Sequence, residues 1–377
     1  MSARPRPRRA VQRTPPAIHG SAQAADLHPR GWRATQVLDF SANLNPYGPP
    51  PVIRRAARAA ALHRYPDRDG WALRRGLAQA HRVTPEQVVV GHGAAELIAA
   101  VAWAYLRAGD RALVLAPAFG EYARVSRLAG ARVHELRARA ETQFRHDPQQ
   151  VAHALRALRP RVVWMTHPNN PTGQALDVHA LAHWATEHPT TLFVVDEAYW
   201  TLAPRLPSAA PLRRPNVLIL RSWTKDYALA GLRVGYALGH ASIAEALRRV
   251  LPPWNLSAPA QAAGLAALTP LAQRYRAATV RAWQGHGALL QAGLRALGFH
   301  PVPGHTPFFL VPVADAAACH ARLLAQGLLI RDATSFGLPR HVRISPRLPS
   351  DNVRLLAAWA QVCRRGPSET HVMRGEG

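Results

Sequence analysis

From about Val37 onward the chain alternates short apolar runs rich in Val, Ile and Leu with longer alanine-rich stretches that suit a helix. The runs Val88–Val90, Ala112–Leu115, Val162–Met165, Leu192–Val195, Val217–Leu220 and Val234–Leu238 read as buried strands. Between them, Pro51–Ala60, Ala94–Leu106, Glu121–Ala129, Val178–Glu187 and Ile243–Val250 read as helices. This alternation predicts an α/β fold: a large domain with a mostly parallel sheet flanked by helices, and ligands held beyond the C-terminal ends of the strands. The pattern then shifts. Pro259–Gly298 reads as long helices, and Phe308–Val313, Leu328–Arg331 and His341–Ser345 as short strands, which predicts a smaller α+β domain. No internal repeat or long linker separates the two, so close packing is expected. The expected division is an N-terminal arm over 1–36, a large domain over 37–255, a small domain over 256–366 and a flexible tail over 367–377.

Composition narrows the class. With 377 residues and 48% hydrophobic content the chain can bury a large core. Its alanine-rich runs are broken by Arg, His and Asp well short of the ~20 residues a membrane span needs, so no membrane partner is expected. The formal charge of +25 is spread along the chain and not gathered into a recognition helix, which argues against nucleic acid and for small anions. Met1–Arg13 holds five arginines, no acid precedes Asp26, and four prolines interrupt the first 16 residues, so the start of the arm is expected to be disordered. Arg8-Arg9 is followed by no apolar segment, which disfavours export. Cys319 and Cys363 make neither a disulfide framework nor a zinc site, and a reducing cytoplasm is the default.

Of the 47 Lys and Arg residues only Lys225 is a lysine. Codon bias explains the arginines but not where the surviving amine sits. Arginine cannot lose its proton near neutral pH, whereas lysine can become the free amine that condenses with a carbonyl. Four segments that follow predicted strands give it company. Gly91-His-Gly-Ala-Ala-Glu96 opens a helix and is either a phosphate-holding turn or a plain connection. Pro168-Asn-Asn-Pro-Thr-Gly173 presents amides at a strand end, and its bland alternative is a turn. Asp196-Glu-Ala-Tyr199 offers a carboxylate for a cationic ring nitrogen, or else a helix N-cap. Ser222-Trp-Thr-Lys225, with Arg233 eight residues on, suits an anionic phosphate beside the amine.

In this order and spacing the four segments resemble the fold-type-I pyridoxal-phosphate enzymes of the aspartate aminotransferase superfamily, from His19 to Arg365. The resemblance implies pyridoxal 5'-phosphate carried on Lys225, Asp196 on the pyridine nitrogen, and Asn170 and Tyr199 near the phenolic oxygen. It implies Ser222, Arg233 and the Ala94/Ala95 turn on the phosphate, and Phe119 stacked on the ring. Tyr65 would reach the phosphate of a neighbouring subunit, so a homodimer is implied. Relatives often carry a polar side chain at Ala94 or Ala95; here only backbone N–H groups serve.

Within the superfamily the chain is similar to threonine-phosphate decarboxylase of cobalamin biosynthesis in His19-Gly20, Asp39–Pro50, Leu329–Leu338 and Val342–Ser345. It departs from that pattern at Ser21 and Tyr47. The expectation is decarboxylation of L-threonine O-3-phosphate to (R)-1-aminopropan-2-yl phosphate. The alternative is a histidinol-phosphate-type aminotransferase, with which the chain shares Asn45-Pro-Tyr-Gly48. Either takes a small phosphorylated substrate, and the resemblance implies that His19, Gly20, Asn43, Asn170, Arg331 and Arg343 contact it. A pyridoxal-phosphate-binding regulator is a distant third, because the ~36 residues before Val37 are too few for a winged-helix domain. His179 and His183 stand one helical turn apart without a third ligand and read as a solvated face, with no metal expected.

Overall fold

The computed structural model describes residues 5–23, 27–28 and 31–362. Cys363 and the expected tail over 367–377 lie outside the described residues.

Among the described residues, twelve strands are β1 (Leu38–Asp39), β2 (Val88–His92), β3 (Arg111–Ala116), β4 (Arg132–Arg137), β5 (Val162–Thr166), β6 (Leu192–Asp196), β7 (Val217–Ser222), β8 (Val234–Leu238), β9 (Phe309–Pro312), β10 (Leu328–Leu329), β11 (Arg331–Asp332) and β12 (His341–Ile344). Seven of them form the large sheet in the order β2-β8-β7-β6-β5-β3-β4, in which only β8 runs against the rest. The register aligns Thr166 with Asp196 and Asp196 with Leu220, so the motif-bearing strand ends emerge along one edge.

The apolar runs are continuous because both faces are covered. Val163, Met165, Phe193, Val217 and Ile219 pack into one layer, while Val162, Trp164, Val194, Leu218 and Leu220 pack into the other. Burying each such side chain contributes about 1.5–3 kcal/mol. Strand β4 was not expected: its sequence RVHELR is only partly buried, as befits an edge strand, and shows no apolar run. Helices Trp71–His81 and Pro148–Leu158 were also missed, while Val178–Glu187 matches its expected bounds, with Asp177 accepting from the N–H groups of His179 and Ala180.

The smaller layer holds the antiparallel sheet β11-β12-β9, with helices Pro270–Ala296, Ala316–Leu324 and Pro349–Val362 around Phe299, Phe309, Val311, Ile344 and Trp359. Buried Cys319 belongs to this core.

Contacts cross the expected domain limits at two places. β1 pairs in parallel with β10 and Phe40 joins the small-domain core, so the chain just after residue 37 sides with the small domain. Ladder pairing of a two-residue strand leaves no pattern in composition. Past residue 255, helix Ala258–Ala267 packs on the large domain so closely that a Cβ at Gly264 would lie 2.7 Å from Leu73. The expected disorder of the arm is corrected. Arg9–Arg13 forms one helical turn, made possible because the flanking prolines sit outside it, while Met1–Arg4 lie outside the described residues.

Candidate active site

Asp196 ends β6 and is buried. Its Oδ1 accepts from Ala198 N–H at 2.9 Å, and its Oδ2 accepts from the Tyr122 hydroxyl at 2.8 Å. Burial raises its pKa above the usual carboxylate range, and the bonds from Tyr122 and Ala198 work against that rise. Lys225 follows β7, and its ammonium nitrogen lies 6.0 Å from the centre of the Tyr199 ring. Tyr199 is buried with its ring edge-on to Phe308 at 4.9 Å. The lysine backbone is pinned from outside: Lys225 C=O accepts from Asn45 N–H at 3.0 Å. The Asn45 amide donates to Asp226 C=O at 2.8 Å and to Thr279 Oγ1 at 2.9 Å. The Asp226 carboxylate in turn accepts from Thr201 at 3.0 Å and faces Arg276 at 3.5 Å.

A set of donors suited to an anion gathers at the start of the helix after β2. Helix Gly93–Tyr105 begins without a side-chain cap, leaving the first-turn N–H groups at Ala94 and Ala95 without the usual intrahelical partner. Arg233 lies directly over the turn, for a Cβ at Gly93 would meet its Nη2 at 2.5 Å, and Gly93 holds φ +75°. A Cβ at Gly235 would meet Ala94 N at 2.6 Å, so β8 also approaches the helix start too closely for a side chain. Ser222 is buried at the end of β7, with its hydroxyl donating to Thr224 Oγ1 at 2.8 Å. Two hydroxyls, a guanidinium and a helix N-terminus make an anion-binding donor set.

The second half of the site comes from the arm and the small domain. Arg343, on β12, donates to Asn170 Oδ1 and to Ser41 C=O, and lies 5.6 Å from the centre of the Phe308 ring. Burial lowers its pKa to about 10. Arg331 donates to Ile18 C=O at 2.7 Å and to Ser335 Oγ at 2.6 Å, so it clasps the arm. His19 rests on Phe119 with ring centres 5.1 Å apart, and its Nε2 lies 3.0 Å from Glu121 Oε1. At Gly20 a Cβ would press on Ser41 C=O at 2.8 Å. Asn43 is buried with both amide atoms unpartnered among the described residues, as are Arg331 Nε, Arg343 Nε and Ser345 Oγ.

Two predicted positions stand apart. Tyr65 is 79% exposed and stacks on Trp254 at 4.8 Å, away from the groups around Lys225. His183 pairs with Glu187 at 3.2 Å on an exposed helix face, and among the described residues no group of three or more His, Cys, Asp or Glu could hold a metal. No helix among the described residues is long and apolar enough to cross a membrane. A cavity of about 960 Å³ is lined by His81, Trp200, Arg213 and Ile219 among others, and by none of the predicted site residues.

The sequence reading overlooked Tyr122, Thr224, Asn45 and Asp226. Tyr122 stands three residues after Phe119, and Asn45 lies within the shared Asn45–Gly48 segment; nothing in the sequence marks Asp226 as buried. It also passed over Glu197, whose carboxylate forms a buried ion pair with Arg221 at 2.6 Å.

Comparison with known proteins agrees with this geometry. The sequence profile described as "Aminotransferase class I and II" matches residues 35–358. Histidinol-phosphate aminotransferase 1 of Thiobacillus denitrificans is 39% identical over 344 residues, 89% of this chain and 88% of that protein. The crystal structure of histidinol-phosphate aminotransferase from Sinorhizobium meliloti in complex with pyridoxal-5'-phosphate superposes with a TM-score of 0.85 at 25% identity, covering 96% of this chain and 98% of that one. L-threonine-O-3-phosphate decarboxylase from Porphyromonas gingivalis gives a TM-score of 0.74 at 25% identity, covering 85% and 98%. The chain therefore belongs to the aminotransferase class I and II family, and its cofactor is pyridoxal 5'-phosphate.

Proposed function

We propose that the chain is an aminotransferase acting on histidinol phosphate or a close phosphorylated amine. The observation that carries this reading is the 39% identity, over nearly nine-tenths of both chains, to a histidinol-phosphate aminotransferase. It replaces decarboxylation of threonine phosphate as the leading reading. The decarboxylase segments around His19 and Arg331 do form one cluster, in which Arg331 donates to the arm carbonyls of Ile18 and His19.

When bound, pyridoxal phosphate supplies an electron-accepting ring for the bond broken at the substrate's Cα. The rest falls to the chain. Lys225 offers the amine that holds the cofactor and moves a proton at Cα. Asp196 would hold the ring nitrogen as a buried anion, Asn170 and Tyr199 would bind the phenolic oxygen, and Phe119 would cover the ring. Ser222, Arg233 and the N–H groups of Ala94 and Ala95 hold the phosphate, with Thr224 beside Ser222. Arg343 pairs with the substrate's anionic group, with Arg331 and Asn43 nearby and His19 and Gly20 closing the arm over it. Bidentate donors suit both a phosphate and the carboxylate of a second substrate.

A cytoplasmic homodimer is part of the proposal. The exposed Tyr65 would complete the phosphate site of a second copy, and sedimentation of a monomer at micromolar concentration would sink that part. The function is tested by comparing 2-oxoglutarate-dependent turnover of histidinol phosphate with carbon dioxide release from threonine phosphate. Turnover in the first assay alone supports the proposal, and in the second alone restores decarboxylation.

A further inference from the structure

Tyr122 sits at the centre of the site without a role in the chemistry so far described. It lies on helix Glu121–Leu128 and is 1% exposed. Its ring stacks on Trp164 with centres 5.3 Å apart and planes 9° from parallel. The Trp164 indole N–H donates to Ser126 Oγ at 3.0 Å, and that hydroxyl donates back to Tyr122 C=O at 2.8 Å. Phe119 closes a third side, edge-on at 5.7 Å.

A ring held this firmly aims its hydroxyl at one place. The hydroxyl donates to Asp196 Oδ2 at 2.8 Å, with Thr166 Oγ1 at 3.3 Å. Thr166 is also the register partner of Asp196 in the sheet, so the three groups are fixed by backbone pairing as well as by packing. Burial drives the Tyr122 hydroxyl pKa well above its ordinary value, so it remains a donor throughout the working pH range. The Asp196 carboxylate therefore receives one phenolic and one backbone donor, and its direction is set by both.

We propose that Tyr122 is a positioning residue that acts through Asp196: its hydroxyl orients the carboxylate and sustains its charge, and the site's hold on the pyridoxal ring depends on that bond. Phe119 lies two residues before helix Glu121–Leu128 and Tyr122 is its second residue, so one short stretch of chain would place both the side chain over the ring and the one that directs the carboxylate at its nitrogen. The proposal rests on the reading of Asp196 as the partner of the ring nitrogen.

The test is a double-mutant cycle on cofactor affinity, with pyridoxal phosphate titrated into apoprotein and binding followed by tryptophan fluorescence. Tyr122→Phe in the wild-type background is expected to weaken binding about tenfold, the scale of a hydrogen bond to a buried charge. In the Asp196→Asn background the same substitution should change binding less than twofold. Equal weakening in both backgrounds would mean a packing role and overturn the proposal, as would full binding by Tyr122→Phe where Asp196→Asn binds poorly. Wild-type-like binding by Asp196→Asn instead sinks the reading of Asp196, and the proposal with it. Should Tyr122→Phe not fold, 3-fluorotyrosine at position 122 keeps the shape and strengthens the donor. It should move the pH midpoint of the bound cofactor's visible absorbance, and an unmoved midpoint overturns the proposal.

Discussion

The two halves of the site are built in different ways. In the proposed cofactor half, several polar side chains find partners close in sequence, Asp196 with Ala198, Ser222 with Thr224, Arg233 with Ala230, and Asp196 adds one distant partner in Tyr122. Around the substrate, Arg331 bonds Ile18 across 313 residues and Arg343 bonds Ser41 across 302. The unpartnered buried atoms on Asn43, Arg331, Arg343 and Ser345 belong to that second half. A buried polar group left unpaired costs about 1–3 kcal/mol, so an anionic substrate that satisfies several of them gains affinity from a penalty already present in the fold. The cofactor half combines local turns with the longer bonds of Tyr122 to Asp196 and Asn45 to Lys225, while the substrate half is held together by the arm and completed by its ligand.

Four substitutions or conditions probe this contrast. The largest effect is expected from Lys225→Ala, which should abolish turnover and the visible absorbance of the lysine-held cofactor. A borohydride-reducible adduct surviving in that variant would refute the role of Lys225. Next, Arg343→Lys should lower kcat/KM roughly 100-fold while cofactor affinity stays unchanged, because an ammonium replaces a fork that pairs two groups at once. If cofactor affinity fell in parallel, the two halves would not be separable.

Gly93→Ala should do the reverse, weakening cofactor binding about tenfold with little change in KM for the amine. Its Cβ would meet Arg233 at 2.5 Å on a backbone at φ +75°, a conformation that costs an L-residue about 1 kcal/mol before any clash. An unchanged dissociation constant for pyridoxal phosphate would remove Arg233 from the phosphate site.

The mildest effect is on stability and lies outside both halves. Burial holds His81, His146 and His341 at pKa values of about 4, down from 6.5. Groups whose folded pKa is depressed contribute stability that is present above pH 6.5 and lost as pH falls toward 4. Urea midpoints should decline over that window, and His341→Gln, on small-domain strand β12, should flatten the decline. A pH-independent midpoint would show that these histidines protonate without cost.

The strands of the large sheet were legible because both faces are covered, so apolar residues run without interruption. β4 was not, because at the sheet edge its RVHELR carries its burial in half-exposed positions. The four cofactor segments were legible for a related reason. Each follows a strand, and a parallel sheet in register brings successive strand ends to one edge. Tyr65 shows the limit on the other side: its motif is plain, yet its stacking on Trp254 says nothing of the phosphate it is expected to reach.

What the sequence determined by itself was therefore the α/β fold and the cofactor. Those depend on short-range patterns: strand burial, glycine turns, and residues two or three positions apart. Only the tertiary structure decided that Tyr122 directs Asp196, that Asn45 and Asp226 pin the backbone of Lys225, and that the arm is clasped by Arg331. Each of those contacts joins segments 74 to 313 residues apart, and a hydrogen bond between such segments leaves no periodicity along the chain.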